Sequence, residues 1–239
     1  NLSPVFIQEI INRYDGTRLG RQELYGEVLD DVPGALWTYS NLDLYRVSKH
    51  PELVEIVVAI DPAVSANEDS NETGIIVAGK DANDHGYVLE DKSGVYSPNQ
   101  WADIAIALYD KYQANWIVAE VNQGGDLVEN NIQSLARIQK LEGKRKQAYL
   151  PYKKVHATKS KYTRAEPVST LYEKGQVHHV GNFAELEDQL CSWLVLLKTE
   201  LICFSYSFLR RSWISRSSNF SLSLFDLKVK YYTLCRNSS

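Results

Sequence analysis

The 239-residue sequence predicts an α/β fold built on a mixed sheet whose antiparallel part comes first. Three observations carry that expectation. A continuous apolar run ended by an acid, Glu55-Ile-Val-Val-Ala-Ile-Asp61, has the length and composition of a buried central strand. Two more apolar segments, residues 73–80 and 86–91, follow with Asp, Asn and Gly between them, so they read as hairpin partners of the first strand. Helix-like and strand-like segments then alternate to the end of the legible pattern.

In chain order, Asn1 to Arg21 shows helical spacing of Val5, Phe6, Ile10 and Ile11, and Asp30-Asp31-Val-Pro-Gly34 reads as a turn. After the three strands, Ser97 followed by Pro98 and Asn99 opens a helix with apolar positions at Trp101, Ile104, Ala105 and Leu108. Trp116-Ile-Val-Ala-Glu120 is a second short apolar strand that also ends in a carboxylate. Gly124-Gly125 opens a helix with Leu127, Val128, Ile132 and Leu135 on one face, and Ala148-Tyr-Leu150 is a further strand candidate. Helices over about Lys159–Lys174 and Ala184–Trp193 complete the pattern.

Composition narrows the class. A net charge of −4 and a hydrophobic fraction of 44% describe a soluble globular protein with enough apolar material for a core. The 3 cysteines include no CxxC pair, which argues against a disulfide scaffold and a zinc cluster and points to a reducing compartment. The most apolar stretch, Trp193 to Leu209, carries Lys198 and Glu200 and is too short to span a bilayer. With Met 0 and Asn1 as first residue, the chain reads as a piece of a longer polypeptide.

The average charge hides a break. Residues 194–239 hold seven Lys/Arg against two acids, a net of +5, which leaves −9 for the first 193 residues. Every Gly and Pro lies upstream of that segment, yet no sustained helical period replaces them.

Asp61 and Glu120 are the candidate site, because each is the first acid after an apolar strand and α/β sheets build their sites at such strand ends. Two carboxylates on adjacent rigid strands suit a hard oxygen-seeking cation, Mg²⁺ or Mn²⁺. Two such ions about 4 Å apart activate water on one side of a phosphodiester and stabilise the leaving oxygen on the other. The competing reading is that each acid caps its strand or the next helix.

Other motifs are weaker. Gly74-Ile-Ile-Val-Ala-Gly79-Lys80-Asp81 matches a phosphate loop through the lysine, but Asp81 stands where Ser/Thr is needed and the middle reads as a strand. His178 and His179 are adjacent, so in a strand they face opposite sides and cannot share a metal; they and Cys191 read as fold residues. The basic segment from Lys140 to Arg164, interleaved with Tyr149, Tyr152 and Tyr162, is a candidate DNA track, with a solvated surface as its alternative.

Several stretches together resemble the C-terminal nuclease domain of the large terminase subunit of tailed phages and prophage-like gene transfer agents, a ribonuclease H-like fold. They are Tyr14-Asp-Gly-Thr-Arg-Leu-Gly-Arg-Gln-Glu-Leu24, Asp31-Val-Pro-Gly-Ala-Leu-Trp37, Val58-Ala-Ile-Asp-Pro62, Glu72-Thr-Gly74, Ala119-Glu-Val-Asn-Gln-Gly-Gly125, Lys161-Tyr-Thr-Arg-Ala-Glu-Pro167 and Leu186-Glu-Asp-Gln-Leu-Cys-Ser-Trp193. The resemblance implies an endonuclease that cuts concatemeric double-stranded viral DNA during packaging in the host cytoplasm. It also implies Mg²⁺ or Mn²⁺ on Asp61 and Glu120, and DNA contacts from Lys159, Lys161 and Arg164. A small terminase subunit and a portal are the implied partners, with no membrane association. Residues 1–50 would then be a lead-in from an ATPase domain, 51–193 the nuclease domain, and 194–239 an atypical tail.

The family has a third acid shortly after the position of Trp193, within an Asp-Arg-x-Asp-like motif, and this sequence lacks it. If Lys198-Thr-Glu-Leu-Ile202 is encoded AAG ACA GAG TTG ATN, with N not G, one alternative frame reads Asp-Arg-Val-Asp. The expectation is a frameshift between about Trp193 and Lys198, an out-of-frame tail, and weak or absent cleavage. The alternatives are an inactive prophage remnant and a resolvase-like nuclease of the same fold.

Overall fold

A computed structural model describes residues 31–62, 72–120, 125–155 and 161–193, with isolated positions before residue 31. The element order is α1 (Tyr39–Leu44), β1 (Leu53–Asp61), β2 (Gly74–Asp81), β3 (Gly86–Asp91), α2 (Pro98–Tyr112), β4 (Trp116–Glu120), α3 (Gly125–Leu141), β5 (Tyr152–Val155), α4 (Lys161–Glu173), β6 (Val177–His179) and α5 (Ala184–Ser192). The strands form one six-stranded sheet in the order β5-β4-β1-β2-β3-β6. Pairs β1–β2 and β2–β3 are antiparallel, whereas β1–β4, β4–β5 and β3–β6 are parallel. This is the mixed sheet with a leading antiparallel part that the sequence predicts.

Why β1 and β2 read as unbroken apolar runs is plain from their place. Both lie inside the sheet with a layer on each face, so Val57–Ile60 and all of β2 are buried. Alternation divides the side chains between the faces. Val58, Ile60 and Val77 enter the core under α2 and α3, where Trp101, Ile106 and Ile132 meet them. Ile76, Ala78 and Val88 face Val168 and Tyr172 of α4 and Leu186 and Leu190 of α5. The β2–β3 turn is closed by Asp81, whose Oδ1 accepts from the backbone N–H of Asn83 and of His85, each at 2.9 Å. Pro98 stands in the first turn of α2, and the Ser97 N–H donates to Gln100 Oε1 at 2.9 Å, a cap that fixes where the helix begins.

The structure departs from the sequence reading in several places. The strand expected at residues 148–150 is instead β5, beginning at Tyr152. Pro151 brings no N–H, but its carbonyl accepts from Ile117 at 2.9 Å and the ladder starts there. Leu150 is fully buried, and its backbone is served by a side chain: Gln133 Nε2 donates to Leu150 O at 2.8 Å and Leu150 N donates to Gln133 Oε1 at 3.0 Å. Leu127 is 74% exposed, not on the inner face of α3, because Val128, Ile132, Leu135 and Ala136 set that face and residue 127 lies about 100° away from residue 128. Strand β6 has no apolar run to reveal it, being three residues long with two histidines.

The segment before β1 contributes to the core. Trp37, Tyr39 and Leu42 are buried against α4 and α5, with the Trp37 ring edge-on to Tyr172 at 6.2 Å. The helix expected over residues 1–21 lies mostly outside the described residues, and the tail from residue 194 lies wholly outside them. Among the described residues no helix is long and apolar enough to cross a membrane.

Candidate active site

Strands β1 and β4 are parallel neighbours, with Val58 opposite Ile117 and Ile60 opposite Ala119. One step further along each strand stand Asp61 and Glu120, so the two carboxylates leave the sheet at the same end, side by side. Alternation also puts them on one face. Asp61 follows Val57 and Ala59, Glu120 follows Val118, and those three residues form one buried cluster. On the other side of Asp61, the antiparallel partner is Gly74, where an added Cβ would lie 3.7 Å from Asp61 Cβ.

Glu120 is 3% exposed, and helix α4 brings a cation to it: Arg164 Nη1 lies 3.4 Å from Glu120 Oε2, with the arginine side chain itself 8% exposed. Helix α4 packs on the face that Asp61 and Glu120 share, which is why its first turn reaches Glu120. Of the other expected DNA contacts, Lys161 is the first residue of α4 and Lys159 lies outside the described residues.

Four other cations of the basic segment are engaged within the domain. Lys144 pairs with Glu142 at 2.8 Å and Arg145 with Asp110 at 3.0 Å. Lys153 Nζ sits 3.8 Å above the Trp116 ring. Lys154 is held between Asp126 at 2.6 Å and Glu129 at 3.0 Å. Hydrogen bonds to these two acids push the Lys154 ammonium up, and the bond to Lys154 pulls the Asp126 carboxyl down. Such exposed pairs are weak and exchangeable, so they lower the free positive charge of the track without removing it.

The rejected motifs fall where the sequence reading put them. Gly74 to Lys80 is strand β2, and the buried Lys80 pairs with Asp84 at 2.9 Å. The two histidines separate to opposite sides of β6. His178 Nδ1 contacts Tyr45 O at 2.8 Å and its ring stacks on His85, whereas His179 is buried between Tyr172 Oη at 2.9 Å and Glu187 Oε1 at 2.8 Å.

The residues that sequence reasoning missed surround that histidine. Glu187 takes Arg46 Nη1 and Nη2 at 2.6 and 3.0 Å. Burial alone would raise its carboxyl, but the bonds from His179 and Arg46 outweigh burial and hold it down at about 2. Asp188 accepts from Tyr39 Oη at 2.6 Å. Through Glu187 and Asp188, the stretch Leu186–Trp193 anchors the chain before β1 to the last described helix.

Asp61 and Glu120 fit a divalent cation such as Mg²⁺ or Mn²⁺ by donor type, since carboxylate oxygens are the ligands these hard ions take. Among the described residues no group of three or more His, Cys, Asp or Glu is arranged to hold a metal.

A mixed sheet with three leading antiparallel strands and helices on both faces has the architecture of a ribonuclease H-like fold. The family model of the terminase RNaseH-like domain matches residues 58–193, and the chain belongs to that family. Among solved structures, the large terminase of a thermophilic bacteriophage is similar over 81% of this chain and 45% of its own, at 12% identity and TM-score 0.45. The yeast mitochondrial Holliday junction resolvase Ydc2 matches 64% of this chain and 79% of its own, at 14% identity and TM-score 0.37. RuvC of T. thermophilus, in complex with a Holliday junction substrate, matches 57% and 89%, at 14% identity and TM-score 0.31. The chain thus spans less than half the length of that large terminase. No curated protein matches the sequence significantly.

Proposed function

We propose that this domain is the metal-dependent DNA-cleaving part of a large terminase, acting on concatemeric double-stranded viral DNA during genome packaging in the host cytoplasm. The observation that carries the reading is the register of β1 on β4, which sets Asp61 beside Glu120 at one end and on one face of the sheet. The two carboxylates would hold the cation and, being mounted on buried strands, would keep their oxygens in place without reorganisation. A Mg²⁺ or Mn²⁺ ion bound there supplies Lewis-acid stabilisation of phosphoryl charge and a more acidic water. Lys159 and Lys161, which follow β5 in the sequence, are assigned to the phosphate backbone. The motor domain, small subunit and portal belong to the proposed whole packaging enzyme.

Cleavage by this chain is slow in this account, because the sequence lacks the family's third acid shortly after Trp193. That same observation favours the second reading, an inactive remnant. Nicking of supercoiled plasmid in Mn²⁺ tests the pair. Slow nicking that disappears in Asp61→Asn supports the nuclease, and no nicking by the unaltered chain at any Mn²⁺ concentration supports the remnant.

A further inference from the structure

Glu120 lies at the end of an interior strand with 3% of its surface exposed, and buried ionic groups are as a rule paired with an opposite charge. Arg164 supplies that charge from α4, with both side chains buried, at 8% and 1% exposure. At 3.4 Å the contact is long for a hydrogen bond, so it acts mainly as charge compensation between two groups of low solvent access. To lie along a DNA backbone the guanidinium would have to leave this place and uncover Glu120. A divalent cation taken up by Asp61 and Glu120 would meet a positive charge already beside one of its two ligands, and like charges repel more strongly here than in water.

We propose that Arg164 is a positioning residue, the internal counter-cation of Glu120, which holds the carboxylate before metal arrives and opposes the metal's entry, so that it sets the metal concentration at which the site loads. The inference rests on the metal-nuclease reading above. It assigns Arg164 to Glu120 and leaves the phosphate backbone to the lysines.

The test uses the full chain with Arg164→Met, Arg164→Lys, Glu120→Gln and the Glu120→Gln/Arg164→Met pair. In EDTA, Arg164→Met is expected to lower Tm by about 5 °C, and the same change in the Glu120→Gln background to lower it little, because the charge that Arg164 compensates is then already gone. At pH 8, Mn²⁺ titrated by electron paramagnetic resonance is expected to bind Arg164→Met roughly tenfold more tightly than the unaltered chain. Arg164→Lys keeps the charge and should bind Mn²⁺ within about twofold of it. Duplex affinity in EDTA, read by fluorescence anisotropy, should change less than about twofold in Arg164→Met.

Equal or weaker Mn²⁺ binding by Arg164→Met overturns the proposal, as does a clear loss of duplex affinity. Should Arg164→Met not fold alone, a change of about tenfold in Mn²⁺ affinity for Arg164→Lys overturns it equally. The two readings fail differently. Absence of coupling to Glu120 in EDTA sinks the counter-cation role and leaves the metal site standing, whereas coupling without Mn²⁺ uptake by any variant sinks the metal site and the loading role with it.

Discussion

Arg46 and Glu187, 141 residues apart in sequence, meet through both terminal nitrogens of the guanidinium, at 2.6 Å to Oε1 and 3.0 Å to Oε2. This bidentate pair, with His179 on the same carboxylate, ties the chain before β1 to α5. Because the Glu187 carboxyl is held at about 2, below its ordinary 4.5, the group stabilises the fold above the ordinary value and that contribution fades as pH falls toward 2. Unfolding free energies measured between pH 7 and pH 2 should therefore fall more steeply for the unaltered chain than for Glu187→Gln, which should start lower and show a flatter acid limb.

The segment around α1 is expected to be needed for stability. Trp37 is 2% exposed and packs on Tyr172 and Trp193, so Trp37→Ala should cost about 3–5 kcal/mol in denaturant unfolding. A cost below about 1 kcal/mol would mean that this segment is a detachable lead-in.

Gln133 is expected to behave as part of the sheet's backbone pairing. Its amide makes both hydrogen bonds of the buried Leu150 backbone, and Gln133→Leu leaves a donor and an acceptor unsatisfied. The expected loss is about 1–3 kcal/mol per group, with faster amide exchange at Leu150 by hydrogen–deuterium exchange.

The ion pairs around Lys154 should restrain DNA binding. Replacing its partners in Asp126→Asn/Glu129→Gln frees the ammonium at the sheet edge. Duplex affinity at low salt should then rise, with the slope of log K against log salt steeper by about one unit, as measured by fluorescence anisotropy.

The strand-end positions of Asp61 and Glu120 were legible because each ends an apolar run that only an interior strand needs, and a strand's period fixes which face its last residue takes. The mixed sheet was legible for the same reason. What was not legible depends on contacts between distant segments. Nothing local marks Arg164 as the partner of Glu120, since a basic residue in a basic stretch looks like a phosphate contact until helix packing buries it. Strand β6 exists because β3 offers an edge beside it, and Leu150 is buried because a glutamine on α3 replaces the strand partner it lacks. Leu186–Trp193 was visible as a family stretch, but only the fold reveals that its acids serve Arg46, His179 and Tyr39.

Mn²⁺ binding by the unaltered chain, Asp61→Asn, Glu120→Gln and the double variant tests the central claim most directly, since it reads the site even where cleavage is slow. Calorimetry should show uptake by the unaltered chain, a loss of about tenfold or more in either single variant, and little further loss in the double, because both acids serve one ion. Affinity unchanged in both single variants would contradict the account, and Asp61 and Glu120 would then be strand-end acids with no metal to hold.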